Sequence, residues 1–192
     1  MKHIRGVIFD LDGTLVTSSL DFMAIKQEIC CPADEDVLSF LKSLPEKQQS
    51  AALDVIHRHE LLDAQGSDWM PGARAFVDKC VENDIPMAIV TRNSFQSSRV
   101  KIERNAIPID RLITRENSKP KPDPTALLQI AGDFGLPPHA ILMVGDYRYD
   151  LEAGRNAKMP SCLIHYTTLP DYAHLADYSF QHFGLLHQAM FE

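Results

Sequence analysis

The chain has 192 residues, with 19 Lys and Arg against 26 Asp and Glu, for a formal net charge of −7. That acidity argues against nucleic acid as a partner, while 45% hydrophobic and 23% charged residues exclude a disordered polymer. A chain of this length buries about 70% of the surface its unfolded form exposes, enough for one domain or for one domain carrying an insertion.

The first element is Ile4 to Phe9, a short β-branched apolar run that reads as a buried strand ending at Asp10. Lys2, His3 and Arg5 come before the apolar residues, whose run Asp10 and Asp12 interrupt, so a signal peptide is not expected. From Thr17 to Trp69 no strand is legible. Asp21 to Ile29, Asp34 to Leu44 and Pro45 to Gln65 read as helices, the last closing at Gly66. The stretch is too long for a loop inside a compact domain, so it is expected to be a helical insertion. It holds ten acidic and only four basic residues, most of the net negative charge.

After the insertion, strands and helices alternate. Ala73, Phe76, Val77, Cys80 and Val81 form one helical stripe. Strands are expected at Pro86 to Thr91, Arg111 to Thr114, Ala140 to Gly145 and Pro160 to His165. Asp123 and Pro124 open a helix that Gly135 stops. This order predicts a three-layer, Rossmann-like α/β core around a parallel sheet of five strands. The core is assigned to 1–16 and 70–192, with the helical domain at 17–69.

Cys30, Cys31, Cys80 and Cys162 contain no C-x-x-C pair. They read as free thiols of a cytoplasmic protein, Cys80 and Cys162 being packing residues. No run of about 18 apolar residues exists, so no membrane span is expected. His57 and His59 lie two apart on a helix, about 200° round its axis, and cannot share an ion. Trp69, where the insertion returns to the core, is read as a packing anchor.

In open parallel sheets, ligands bind beyond the carboxyl ends of the strands. Asp10 and Asp12, Thr91, the Ser118 to Lys121 segment, and Asp146 with Asp150 all fall there. Clustered carboxylates need a cation, and oxygen donors suit Mg2+. A hydroxyl, backbone N–H groups and a lysine suit a phosphate. Metal, phosphate and a spare carboxylate together point to phosphoryl transfer through an aspartyl-phosphate.

At these residues the chain resembles the haloacid dehalogenase superfamily of phosphatases. Phe9 to Val16 (FDLDGTLV) resembles the first motif of that family. Ile89 to Ser94 (IVTRNS), Lys119 to Pro124 (KPKPDP) and Met143 to Asp150 (MVGDYRYD) resemble the second, third and fourth, in family order. The residues from Thr17 to Trp69 sit where the family inserts a small helical cap of the C1 type. The resemblance implies that Asp10 is the nucleophile. It implies that Asp12 is the general acid and then the base, and that its carbonyl also binds Mg2+. Thr91 would bind phosphate, Asp146 would bind metal, and Asp150 would bind or orient the metal shell.

Gly13 and Thr14 also fit an ordinary turn, and Asp150 also fits a helix cap. Arg92 and Asn93 are candidates for substrate contact, with solvent the alternative for Arg92. Counting back from Asp123 in the family pattern Lys-Pro-any-Pro-Asp selects Lys119 for the phosphate and leaves Lys121 facing solvent. Tyr147 and Tyr149 depart from the fourth motif and leave substrate choice open.

The expected activity is Mg2+-dependent hydrolysis of a small phosphorylated metabolite, phosphoglycolate-like or a sugar phosphate, by a monomer or homodimer. A phosphomutase of the β-phosphoglucomutase type and a catalytically idle binding or regulatory protein are the alternatives.

Overall fold

The computed structural model describes residues 1–192. Strand β1 (Gly6–Phe9) is fully buried, and its residues alternate between two apolar clusters. Val7 and Phe9 join one, with Phe76, Ile89 and Val144; Ile8 joins the other, with Leu127, Ile130 and Met143. Both faces are covered, so the strand reads as an uninterrupted apolar run without polar alternation.

The sheet contains β2 (Met87–Val90), β3 (Arg111–Ile113), β4 (Ile141–Gly145), β5 (Ser161–Ile164) and β6 (Tyr178–Phe180) as well. Its order is β3-β2-β1-β4-β5-β6, parallel throughout. There are six strands where five are expected. The sixth is a three-residue edge strand, half-exposed and too short to display a period.

Helices α4 (Ala73–Glu82), α5 (Phe95–Arg104) and α8 (Phe183–Phe191) supply Phe76, Ile102 and Phe183 to one cluster. Helices α6 (Thr125–Phe134) and α7 (Arg148–Asn156) supply Leu127 and Ala153 to the other. The result is the expected three layers. Phe76 packs on Phe183 at 5.5 Å and meets Phe9 edge-on at 6.0 Å. On α4 the predicted stripe is buried except for Val81, which is exposed. Helix α6 ends at Gly135, φ 62°, as expected, but starts one residue late. Asp123 accepts from the Thr125 N–H at 2.9 Å, so Thr125 is the first helical residue.

Between β1 and α4 lie α1 (Phe22–Glu28), α2 (Val37–Ser43) and α3 (Glu46–Gln65). Asp21 and Asp36 cap the first two through the N–H groups of Ala24 and Ser39. The three helices share an apolar cluster that includes Ile25, Val37, Leu41 and Ile56, separate from those flanking the sheet. The chain enters and leaves this helical segment side by side: Thr17 N–H donates to Asp68 C=O and Met70 N–H to Leu15 C=O. Trp69 packs against the core at this junction, and its indole donates to Asn105 C=O at 2.8 Å. All four cysteines are free thiols, and only Cys30 is exposed. No helix is long and apolar enough to cross a membrane.

Candidate active site

Strand order reverses at β1, and the carboxyl ends of β1, β2 and β4 open onto one crevice. Asp10 follows β1, Thr91 follows β2, and Asp146 follows β4. Carboxylate oxygens of Asp10, Asp146 and Asp150 lie within 4.8 Å of one another. Burial pushes the Asp10 carboxyl up to about 7; the ammonium of Lys121 counteracts this, and Asp150 and Asp12 add to it. Burial, then Asp10 and Asp150, also raise Asp146.

The turn after β1 is fitted closely to Asp146. Gly13 has φ 75°, and a Cβ there would lie 2.5 Å from Asp146 Oδ2. Thr14 is fully buried and donates its hydroxyl to Asp146 Oδ1 at 3.0 Å. Both residues therefore shape the carboxylate cluster beyond filling a turn. Asp150 has two tasks. Its Oδ2 accepts from the Tyr147 N–H and caps α7, while its Oδ1 faces Lys121.

The lysine at this cluster is Lys121, which corrects the assignment to Lys119. Its buried Nζ lies 2.5 Å from Asp10 Oδ1 and 2.6 Å from Asp150 Oδ1. Those partners outweigh burial and hold its pKa above the ordinary lysine value. The side chain of Lys119 is 75% exposed, 3.9 Å from Asp123. The reason is local. Asp123 N–H bonds back to Pro120 C=O, so the segment turns instead of running extended. Residues two apart then need not share a face, and counting back from the helix start misassigns the lysine.

Thr91 is buried beside the site, its Oγ1 accepting from the Asn93 N–H. Arg92 and Asn93 are both turned to protein partners. Asn93 Nδ2 donates to Asp12 Oδ2 at 2.7 Å. The guanidinium of Arg92 stacks over Tyr149 at 4.3 Å and donates to Asp36 Oδ1 and to Lys121 C=O. Tyr147 packs edge-on against Tyr149 and Tyr172, and Tyr172 Oη donates to Asp146 C=O. His59 binds Glu28 and His57 faces Glu116, so the two histidines do not converge.

The acidity of the helical segment has a structural use. Asp36 pairs with Arg92, Glu60 with Arg115, and Asp63 with Lys101, all three cations belonging to the core. Lys101 also pairs with Asp12. Burial raises the Asp12 carboxyl, against the opposing pull of Lys101 and Asn93. Lys101 and Arg115 escape a sequence reading, because a lysine on a polar helix and an arginine after a strand look like surface residues. The sole local hint is that Lys101 shares the buried stripe of α5 with Ser97, Ser98 and Ile102.

Carboxylate oxygens are hard donors, and three of them converging beside a buried ammonium fit a small hard cation such as Mg2+. Asp10, Asp146 and Asp150 are the side chains placed to hold it.

Known proteins resemble this chain. A hydrolase of Saccharomyces cerevisiae, YOR131C, is 34% identical over 168 residues, covering 82% of this chain and 75% of that protein. A phosphoglycolate phosphatase of Chromobacterium violaceum is 26% identical, covering 86% and 87%. The crystal structure of a hydrolase from Pseudomonas syringae has the same fold, with a TM-score of 0.81, 20% identity, and 96% and 97% of the two chains covered. The model of the haloacid dehalogenase-like hydrolases matches residues 7–164, which carry all four motifs and the carboxylate cluster, and the chain belongs to that family.

Proposed function

We propose that the chain is a Mg2+-dependent phosphatase that hydrolyses a small phosphomonoester through an aspartyl-phosphate on Asp10. The observation that carries this reading is the convergence of Asp10, Asp146 and Asp150 around the ammonium of Lys121, with Asp12 two residues beyond the nucleophile. Bound there by Asp10, Asp146, Asp150 and the Asp12 carbonyl, Mg2+ would supply positive charge against the transferring phosphoryl group.

The chain's own groups then divide the work. Asp10 attacks phosphorus through a carboxylate oxygen, and the ester P–O bond breaks. Asp12 gives its proton to the departing oxygen. In the second half, Asp12 takes a proton from water. The water oxygen attacks phosphorus, and the acyl-phosphate bond breaks to return the Asp10 carboxylate and inorganic phosphate. Lys121 balances charge on Asp10 and on the phosphoryl oxygens, and the Thr91 hydroxyl donates to one of them. Residues 17–69 act as the cap that closes this crevice to water, and the three ion pairs from Asp36, Glu60 and Asp63 support that seating.

The relative named as a phosphoglycolate phosphatase supports a small anionic ester as substrate. The test is a panel of phosphoglycolate, sugar phosphates and 4-nitrophenyl phosphate, assayed with Mg2+ and with chelator. Release of phosphate that chelator abolishes and Mg2+ restores is expected; full turnover in chelator refutes the metal assignment.

A further inference from the structure

Lys101 is completely buried, yet it is outside the carboxylate cluster of Asp10, Asp146 and Asp150. Its ammonium joins two carboxylates from different parts of the chain. One is Asp12, on the turn after β1; the other is Asp63, near the end of α3 in the helical segment. We infer that Lys101 is a positioning residue that fixes the orientation of the Asp12 carboxyl, and that Asp63 holds Lys101 in place, so seating of the helical segment and aim of the acid–base group form one coupled unit. The inference rests on the acid–base role proposed for Asp12.

The contacts on either side support this. Asp12 has two anchors, one for each oxygen: Asn93 Nδ2 on Oδ2 and Lys101 Nζ on Oδ1. Removing Lys101 leaves one anchor, about which the carboxyl can rotate. Asp63 is held in turn by the Ser18 hydroxyl, the Ser19 hydroxyl and the Ser19 N–H. Ser18 and Ser19 lie on the strand of chain that leads into the helical segment, so Asp63 registers where that segment sits.

A purely adhesive role explains less. Glu60 and Arg115 already join the same helix to the core through a buried bidentate pair, and their contacts do not include Asp12. Burying an ammonium is costly, and an apolar side chain of similar volume holds two helices together at no such cost. The feature that an apolar residue cannot supply is a donor aimed at Asp12.

The test is the single-turnover rate of leaving-group release at saturating Mg2+, from n-propyl phosphate and from 4-nitrophenyl phosphate. The alkyl ester needs a proton from Asp12, and nitrophenolate departs largely without one. Lys101→Met is expected to slow the alkyl ester at least about thirtyfold and the nitrophenyl ester less than about fivefold. Asp63→Asn, which keeps an oxygen for the two Ser19 contacts but weakens the hold on Lys101, should shift the ratio the same way by about fivefold. In an Asp12→Asn background, Lys101→Met should slow the alkyl ester less than about twofold further, because its target is gone. Equal losses for both esters, or a full additional loss in the Asp12→Asn background, overturn the inference. Where Lys101→Met does not fold, an unchanged ester ratio in Asp63→Asn overturns it. Absence of Mg2+-dependent release by the wild-type protein from either ester overturns the phosphatase reading itself, and this inference with it.

Discussion

Replacing Lys121 by Met keeps most of the side-chain volume and removes the charge. At an effective dielectric of about 20, an ion pair in direct contact is worth about 4 kcal/mol or more before solvation is counted. Lys121 makes two such pairs, with Asp10 and Asp150, and all three side chains are largely buried. Breaking a buried pair from one side costs about 3–5 kcal/mol. The part expressed in the transition state, where charge builds on the phosphoryl oxygens, resembles the loss of one preorganised donor, about 3–4 kcal/mol. Turnover should therefore fall by about two to three decades. Lys119→Ala removes only a surface contact, worth at most about 1 kcal/mol in folding and less than about threefold in turnover. The assay compares kcat for both variants at saturating Mg2+, alongside their melting temperatures. A Lys119→Ala loss exceeding that of folded Lys121→Met, or a Lys121→Met loss under threefold, refutes the placement of the lysine.

Asp10→Asn should stay folded and lose at least about three decades of turnover, about 4 kcal/mol of barrier, since the amide is a poor nucleophile; Mg2+-dependent turnover near wild type removes Asp10 from the mechanism. Gly13→Ala should weaken Mg2+-dependent turnover by more than about tenfold, because its Cβ would displace Asp146 from 2.5 Å away and sit at a positive φ; unchanged kinetics contradict the close approach. The metal-free protein should show a defined pH trend. Asp10 rises from 3.8 to about 7 on folding, so between these values the folded form binds more protons than the unfolded. Its contribution to stability is fully present below about 4 and is lost as pH rises through 7. In chelator, melting temperature should climb as pH falls from 7.5 to 5.5, and the gain from added Mg2+ should shrink over the same range, since protons compete for the ligand oxygens. A Mg2+ gain independent of pH rules this out.

The sequence by itself determines the layered core and the carboxylate cluster. The buried strands are written as unbroken apolar runs, and Asp10, Thr91 and Asp146 each follow such a run directly. A residue at a strand's carboxyl end is placed by topology, so its position follows once the parallel order is read. The edge strand at Tyr178–Phe180 stays hidden, because three half-exposed residues carry no period. Only the tertiary structure decides between Lys119 and Lys121, through a turn at Pro120 to Asp123 that reverses the expected facing. It alone reveals why the helical segment is acidic, since Asp36, Glu60 and Asp63 find their cations at positions distant in the chain. Lys101 is the clearest case. In sequence it is one more charge on a polar helix, and its burial depends on two carboxylates that arrive from 89 residues before it and from 38. Local pattern encodes what a residue's neighbours in sequence require of it; the identity of a partner across the fold is not written there.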